Sequence, residues 1–117
     1  MRDLTKQKCE ACTIDAPLID EKRFTELLEG LDGWEVIHQD INILCKTYSF
    51  DSYKDSVKFS MDIAKLAEDE DHHPAILLEW GSVRLQWWSH KIKGLHMNDF
   101  ICAAKSDKIY LLCKSMK

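Results

Sequence analysis

The sequence predicts an α+β fold, a four-stranded antiparallel sheet with three helices packed on one face, in the order α-β-β-α-β-β-α. Three observations carry this expectation. Two pairs of short apolar segments are each joined by a turn, at Gln39-Asp40 and at Gly81-Ser82. In the second pair the alternation is clear: Val83, Leu85 and Trp87 point one way, and Arg84, Gln86, Trp88 and His90 the other. Segments with helical spacing precede, separate and follow the two pairs. Hairpins interrupted by helices make an antiparallel sheet covered on one side. The other sheet face then stays open, with Trp88 and His90 side by side on it.

Taken in order, residues 1–19 lack periodicity and contain Pro17, so they read as an N-terminal arm ahead of a single domain over 20–117. Asp20 can cap a helix that runs to about Gly30, with Phe24, Leu27, Leu28 and Leu31 on one face. A strand over 34–38, the Gln39-Asp40 turn and a longer strand over 41–50 follow. Asp51 or Ser52 can cap the next helix, which runs to about Asp69. Its apolar residues (Tyr53, Val57, Phe59, Met61, Ile63, Ala64, Leu66, Ala67) cover roughly 220° of the circumference, more than one core-facing stripe. A second contact is therefore implied, from another helix or, preferably, from a subunit interface.

His72-His73-Pro74 ends that helix, because proline disfavours helical geometry in the residue before it. Strands over 75–80 and 83–90 flank the Gly81-Ser82 turn. A loop over 91–95 leads to a last helix that starts between His96 and Asp99 and runs to about Lys114. That helix is expected to bury Phe100, Ile101, Ala104, Ile109, Leu111 and Leu112 by turns.

Composition narrows the function classes. The chain has 117 residues, 31% of them charged, and a net charge of −4. That balance argues against direct nucleic-acid binding, which needs a basic surface. No apolar run is long enough to span a membrane, and the N-terminus has no apolar core of the signal-peptide kind. A cytoplasmic, reducing setting is the expectation. The five cysteines fit it as free thiols. Cys45, Cys102 and Cys113 lie in apolar segments. Cys9 and Cys12 form a single CxxC without a second pair, half of a zinc motif.

The chemistry-bearing residues are concentrated in one region: Glu68, Asp71, His72, His73 and Pro74, then His90 and Asp99. Imidazole gives or takes a proton near neutral pH, so a site of His and carboxylates points to acid–base chemistry or metal binding. In a hairpin turning at Gly81-Ser82, the entry to one strand lies beside the exit of its partner. His73 and His90 should therefore be cross-strand neighbours or nearly so, within reach of one small ligand. Other readings apply to each residue alone. His72-His73 can be a polar helix exit near the negative end of the dipole, and Asp99 can simply answer the dipole of the last helix. Adjacent histidines followed by Pro do not have the i, i+4 spacing of HExxH zinc sites, so no metal ligand is assigned.

This pattern resembles that of the pterin-4a-carbinolamine dehydratases. That family carries an acid, three residues, His, His or Asn, Pro, then an aromatic, a His and an Asp at fixed intervals. Here those are Glu68, His72-His73-Pro74, Trp80, His90 and Asp99. The flanking text EWGSVRLQWWSHKIKGLHMNDF and the N-terminal CEAC are similar to the bacterial branch associated with phenylalanine hydroxylase, and the resemblance covers about residues 9–113. It implies dehydration of 4a-hydroxytetrahydrobiopterin to quinonoid dihydrobiopterin, which regenerates the pterin of aromatic amino-acid hydroxylases. The pterin is the substrate, and no cofactor or metal is implied.

By the same resemblance, His72, His73 and His90 form the catalytic set. His73 and His90 carry the proton transfers, and His72 helps to bind the pterin. Glu68, Asp71, Pro74, Trp88 and Asp99 bind or orient, with Asp99 holding His90 or supporting the site through its helix end. A homodimer or homotetramer and a functional link to phenylalanine hydroxylase are also implied. The alternative is an oligomeric binding or co-regulator protein of the same fold. Two positions depart from the pattern: Ile76 stands where animal members have Trp, and His96 where Ser or Thr usually caps the last helix.

Overall fold

The computed structural model describes residues 4–6 and 18–115. The Cys9/Cys12 motif and most of the expected N-terminal arm lie outside the described residues. The elements are α1 (Phe24–Leu28), β1 (Glu35–His38), β2 (Asn42–Ser49), α2 (Tyr53–Glu70), β3 (Ala75–Glu79), β4 (Ser82–Trp87) and α3 (Met97–Ser115), with 3-10 turns at Leu4–Lys6 and Glu21–Arg23. The sheet order is β1-β2-β4-β3, antiparallel throughout. This is the α+β arrangement that the sequence predicts.

The first helix is shorter than its pattern suggests. Asp20 accepts from the Lys22 N–H at 3.0 Å, but the cap opens a 3-10 turn before α1 begins. So short a helix is marginal alone. It is held by packing: Phe24 and Leu31 are buried, and the Phe24 ring lies 6.1 Å from that of Phe100. The cap of α2 is Ser52, whose hydroxyl accepts from the Asp55 N–H at 3.2 Å. Ser56, Phe59, Ile63 and Ala67 form its buried stripe, while Tyr53 and Met61 remain exposed.

The core lies between the sheet and the helices. Leu44 and Tyr48 of β2 and Val83, Leu85 and Trp87 of β4 point into it. Asp107 of α3 ties the far end together, because its Oδ1 accepts from Trp34 Nε1 (3.0 Å), Lys46 Nζ (2.9 Å) and the Tyr48 hydroxyl (2.5 Å). Burial, then the adjacent Asp107 charge, pushes the Tyr48 phenol well above its usual range. The first half of α3 is buried nearly all round, from Phe100 to Ala104, but Leu111 and Leu112 stand exposed. Those two residues therefore correct the expected burial of α3: its last turns pack through Ile109, Tyr110 and Cys113, and Leu111 and Leu112 are left out of that contact.

β4 also stops earlier than expected. Its pairing to β2 ends at Trp87↔Leu44, and its pairing to β3 begins at Ala75↔Gln86, just after Pro74, which has no N–H to donate. Beyond Trp87 the chain closes a tight loop through an isolated bridge between Ser89 and Gly94.

Candidate active site

The site begins with the way α2 ends. Asp71 adopts a left-handed conformation (φ 49°, ψ 44°). Its N–H bonds to the Glu68 carbonyl (3.3 Å), and the next N–H, of His72, bonds to the Ala67 carbonyl (3.0 Å). This is the Schellman pattern, with Asp where Gly is usual. The turn decides the fate of the two adjacent imidazoles: His72 is thrown inward and His73 outward.

His72 is only 4% exposed. Its Nε2 lies 2.6 Å from Asp99 Oδ1, and its ring stacks on Trp87 at 5.6 Å between centroids and 8° between planes. Asp99 is fully buried. Its second oxygen, Oδ2, accepts from the Ser89 hydroxyl at 2.8 Å and from the His96 N–H at 2.9 Å. One carboxylate thus joins the α2–β3 turn, the end of β4 and the start of α3. The expectation that Asp99 holds His90 is corrected: among the described residues its partners are His72, Ser89 and His96. The physical reason is side-chain direction, because Ser89 faces inward and His90 outward.

Asp99 does serve its helix as well. The His96 Nδ1 accepts from the Asn98 N–H at 3.0 Å, while Asp99 reaches back to the His96 N–H. Asp99 thus makes the return half of a capping box, while an imidazole in the place of a hydroxyl takes the second N–H of the helix in place of the third.

His73 and His90 face solvent. His73 Nε2 is 2.9 Å from Glu68 Oε1, and His90 Nε2 is 3.1 Å from the His73 carbonyl oxygen. The carbonyl can only accept, so the hydrogen of that contact belongs to His90 Nε2. An ionised Glu68 likewise takes its hydrogen from His73 Nε2. In both rings the remaining nitrogen is Nδ1. Trp88 lies beside His90, with ring centroids 4.5 Å apart and 43° between planes.

The expected residues therefore separate into two layers. Glu68, His73, Trp88 and His90 make up an outer group at an accessible surface. His72 and Asp99 form a buried group beneath it. Pro74 lies between the His pair and β3, and Asp71 forms the turn. Trp80, 67% exposed, stands at the hairpin tip, where its carbonyl accepts from Ser56. Sequence reasoning missed Ser89; a serine at an inward-facing position, next to a histidine at the end of a strand, was the available signal. A cavity of about 1180 Å³ lies elsewhere, between α1, the Leu4–Lys6 turn and α3, and none of the histidines lines it. Among the described residues no three His, Cys, Asp or Glu side chains converge as a metal-ligand set, and no helix is long and apolar enough to cross a membrane.

Comparison with known proteins bears on the family and the fold. The pattern of the family described as "Pterin 4 alpha carbinolamine dehydratase" matches residues 17–109. A protein of Vibrio cholerae serotype O1 (strain O395), provisionally named pterin-4-alpha-carbinolamine dehydratase, is 54% identical over 107 residues, covering 91% of this chain and 98% of its own. A Saccharophagus degradans protein of the same provisional name is 44% identical over 111 residues, covering 94% and 98%. A solved structure described as a transcriptional coactivator/pterin dehydratase from Brucella melitensis superposes with a TM-score of 0.74 at 25% identity, covering 80% of this chain and 98% of that one. A pterin dehydratase-like protein described as a RuBisCO assembly factor in the alpha-carboxysome shares the fold, with a TM-score of 0.57 at 22% identity over 66% of this chain and 88% of that one. With its inner and outer histidines on that shared scaffold, this chain belongs to the pterin-4a-carbinolamine dehydratase family.

Proposed function

We propose that the protein dehydrates 4a-hydroxytetrahydrobiopterin to quinonoid dihydrobiopterin by general acid–base catalysis, and so returns the pterin cofactor to an aromatic amino-acid hydroxylase such as phenylalanine hydroxylase. The observation that carries this reading is the exposed His73/His90 pair, with both Nε2 atoms engaged by acceptors and both Nδ1 atoms left for a ligand. Loss of hydroxide from C4a needs a proton delivered to the departing oxygen, and the N5 proton must then be removed. One imidazole in its protonated form does the first and the other, neutral, does the second. Each such transfer contributes typically 10²–10⁴-fold.

Glu68 fixes the His73 tautomer and ring orientation. Trp88 gives an aromatic surface beside His90 on which a flat pterin ring can rest, and Asp71 is within the same turn to meet pterin nitrogens. The resemblance gives His72 a part in binding the pterin; its 4% exposure and its bond to Asp99 support instead a role beneath the site, holding the turn that presents His73. The reaction needs no cofactor, since the pterin is the substrate, and the reading places the protein in the cytoplasm as a homodimer or homotetramer.

The test is a direct dehydratase assay on the purified protein with and without a chelator. Accelerated loss of the carbinolamine, unchanged by the chelator, is expected. A rate no faster than buffer alone, or one abolished with the removal of bound metal, would reject the reading.

A further inference from the structure

Ser89, two residues past β4, is fully buried, between the half-buried Trp88 and the exposed His90. Its backbone is fixed on both sides of the loop: Ser89 N–H bonds to the Gly94 carbonyl at 2.8 Å, and Gly94 N–H returns to the Ser89 carbonyl at 3.4 Å. The loop is closed from outside as well, because the Ile19 N–H bonds to the Leu95 carbonyl at 2.8 Å. The Leu18 side chain lies against Gly94, where an added Cβ would come within 2.7 Å of Leu18 Cδ2. Its hydroxyl donates to Asp99 Oδ2, while His72 holds Oδ1 of the same carboxylate.

His90 is the next residue. Its backbone direction is set by that anchor, and its ring reaches the His73 carbonyl and the face of Trp88. The two histidines that face solvent are thus fixed from below through one carboxylate, His73 through His72 and His90 through Ser89.

We propose that Ser89 is a positioning residue: its buried hydroxyl, sharing the Asp99 carboxylate with His72, fixes where the His90 imidazole is presented beside His73. This deepens the dehydratase reading and rests on it for its kinetic consequence, but the placement of His90 can be measured without any turnover. Displacements of about an ångström in a reacting group cost on the order of 10²-fold in rate, so a loosened anchor should act on kcat more than on binding.

The experiment compares Ser89→Ala, Ser89→Thr and Ser89→Cys with the wild type. In Ser89→Ala, kcat for the carbinolamine should fall about tenfold or more while KM changes less than about twofold. Ser89→Thr, which keeps the hydroxyl, should restore kcat to within about threefold of wild type. In NMR spectra of the free protein, the His90 ring-proton resonances, displaced by the neighbouring Trp88 ring, should move in Ser89→Ala toward those of an unstructured imidazole. The resonances of His38, at the other side of the sheet, should stay in place. Should Ser89→Ala fail to fold, Ser89→Cys, which keeps the volume with a weaker donor, carries the same comparison.

A lowered melting temperature with unchanged kcat, KM and His90 resonances would show a purely structural role and overturn the proposal. A wild-type protein without dehydratase activity would overturn the functional reading alone, and the resonances would still decide whether Ser89 positions His90.

Discussion

Asp99 stands at the third position of a helix, where a carboxylate ordinarily answers exposed N–H groups and the positive end of the dipole. Here it also receives a hydroxyl and an imidazole, with no exposure to water. A buried carboxylate with every donor satisfied is stable, whereas removing it strands its partners. Asp99→Ala should therefore cost about 3–5 kcal/mol of unfolding free energy. Chemical denaturation followed by far-UV circular dichroism measures this, and a loss below about 1 kcal/mol would contradict the three-partner arrangement. The exposed His73–Glu68 contact differs in kind: solvent screens it, so its worth lies in fixing a ring and not in stability.

At the scale of elements, the decisive feature is the left-handed turn that ends α2. Asp tolerates that conformation better than most residues but without glycine's freedom. A β-branched residue there is strained. Asp71→Val should destabilise the protein by about 1–3 kcal/mol, while Asp71→Gly should stay within about 1 kcal/mol of wild type; thermal unfolding of both variants checks this. Equal effects of the two would show that the turn geometry is not what matters at Asp71. Much of the element plan was legible in the sequence. The second hairpin announced itself by alternation and by Gly81-Ser82, and α2 by its cap and its long period. The proximity of His73 and His90 followed from counting out from the turn. What was not legible was which of two adjacent imidazoles would be buried. That depends on a non-glycine residue in a left-handed conformation, which carries no signal in composition or spacing. Once His72 turns inward, Asp99 meets it and not His90, and the role read for Asp99 changes with it.

For the whole molecule, the sheet and α3 cover only one stripe of α2. Met61 is 67% exposed, as is Leu111 near the end of α3, and Tyr53 and Leu112 are more than half exposed. The wide apolar arc seen in the sequence thus has part of its surface facing outward, which supports the homo-oligomer reading. Sedimentation equilibrium should give a mass of two or four chains, and Met61→Asp should lower it; a wild-type monomer would remove that part of the account. The site's own logic does not depend on that outcome, since the outer and inner histidines come from one chain. The central claim is that His73 and His90 carry the proton transfers while His72 supports them from beneath. The most direct measurement is the dehydratase rate of the His73→Ala/His90→Ala double variant beside wild type, with the fold of each checked by circular dichroism. The account predicts a folded variant whose rate falls to that of the uncatalysed carbinolamine; a folded variant that turns over at the wild-type rate would contradict it.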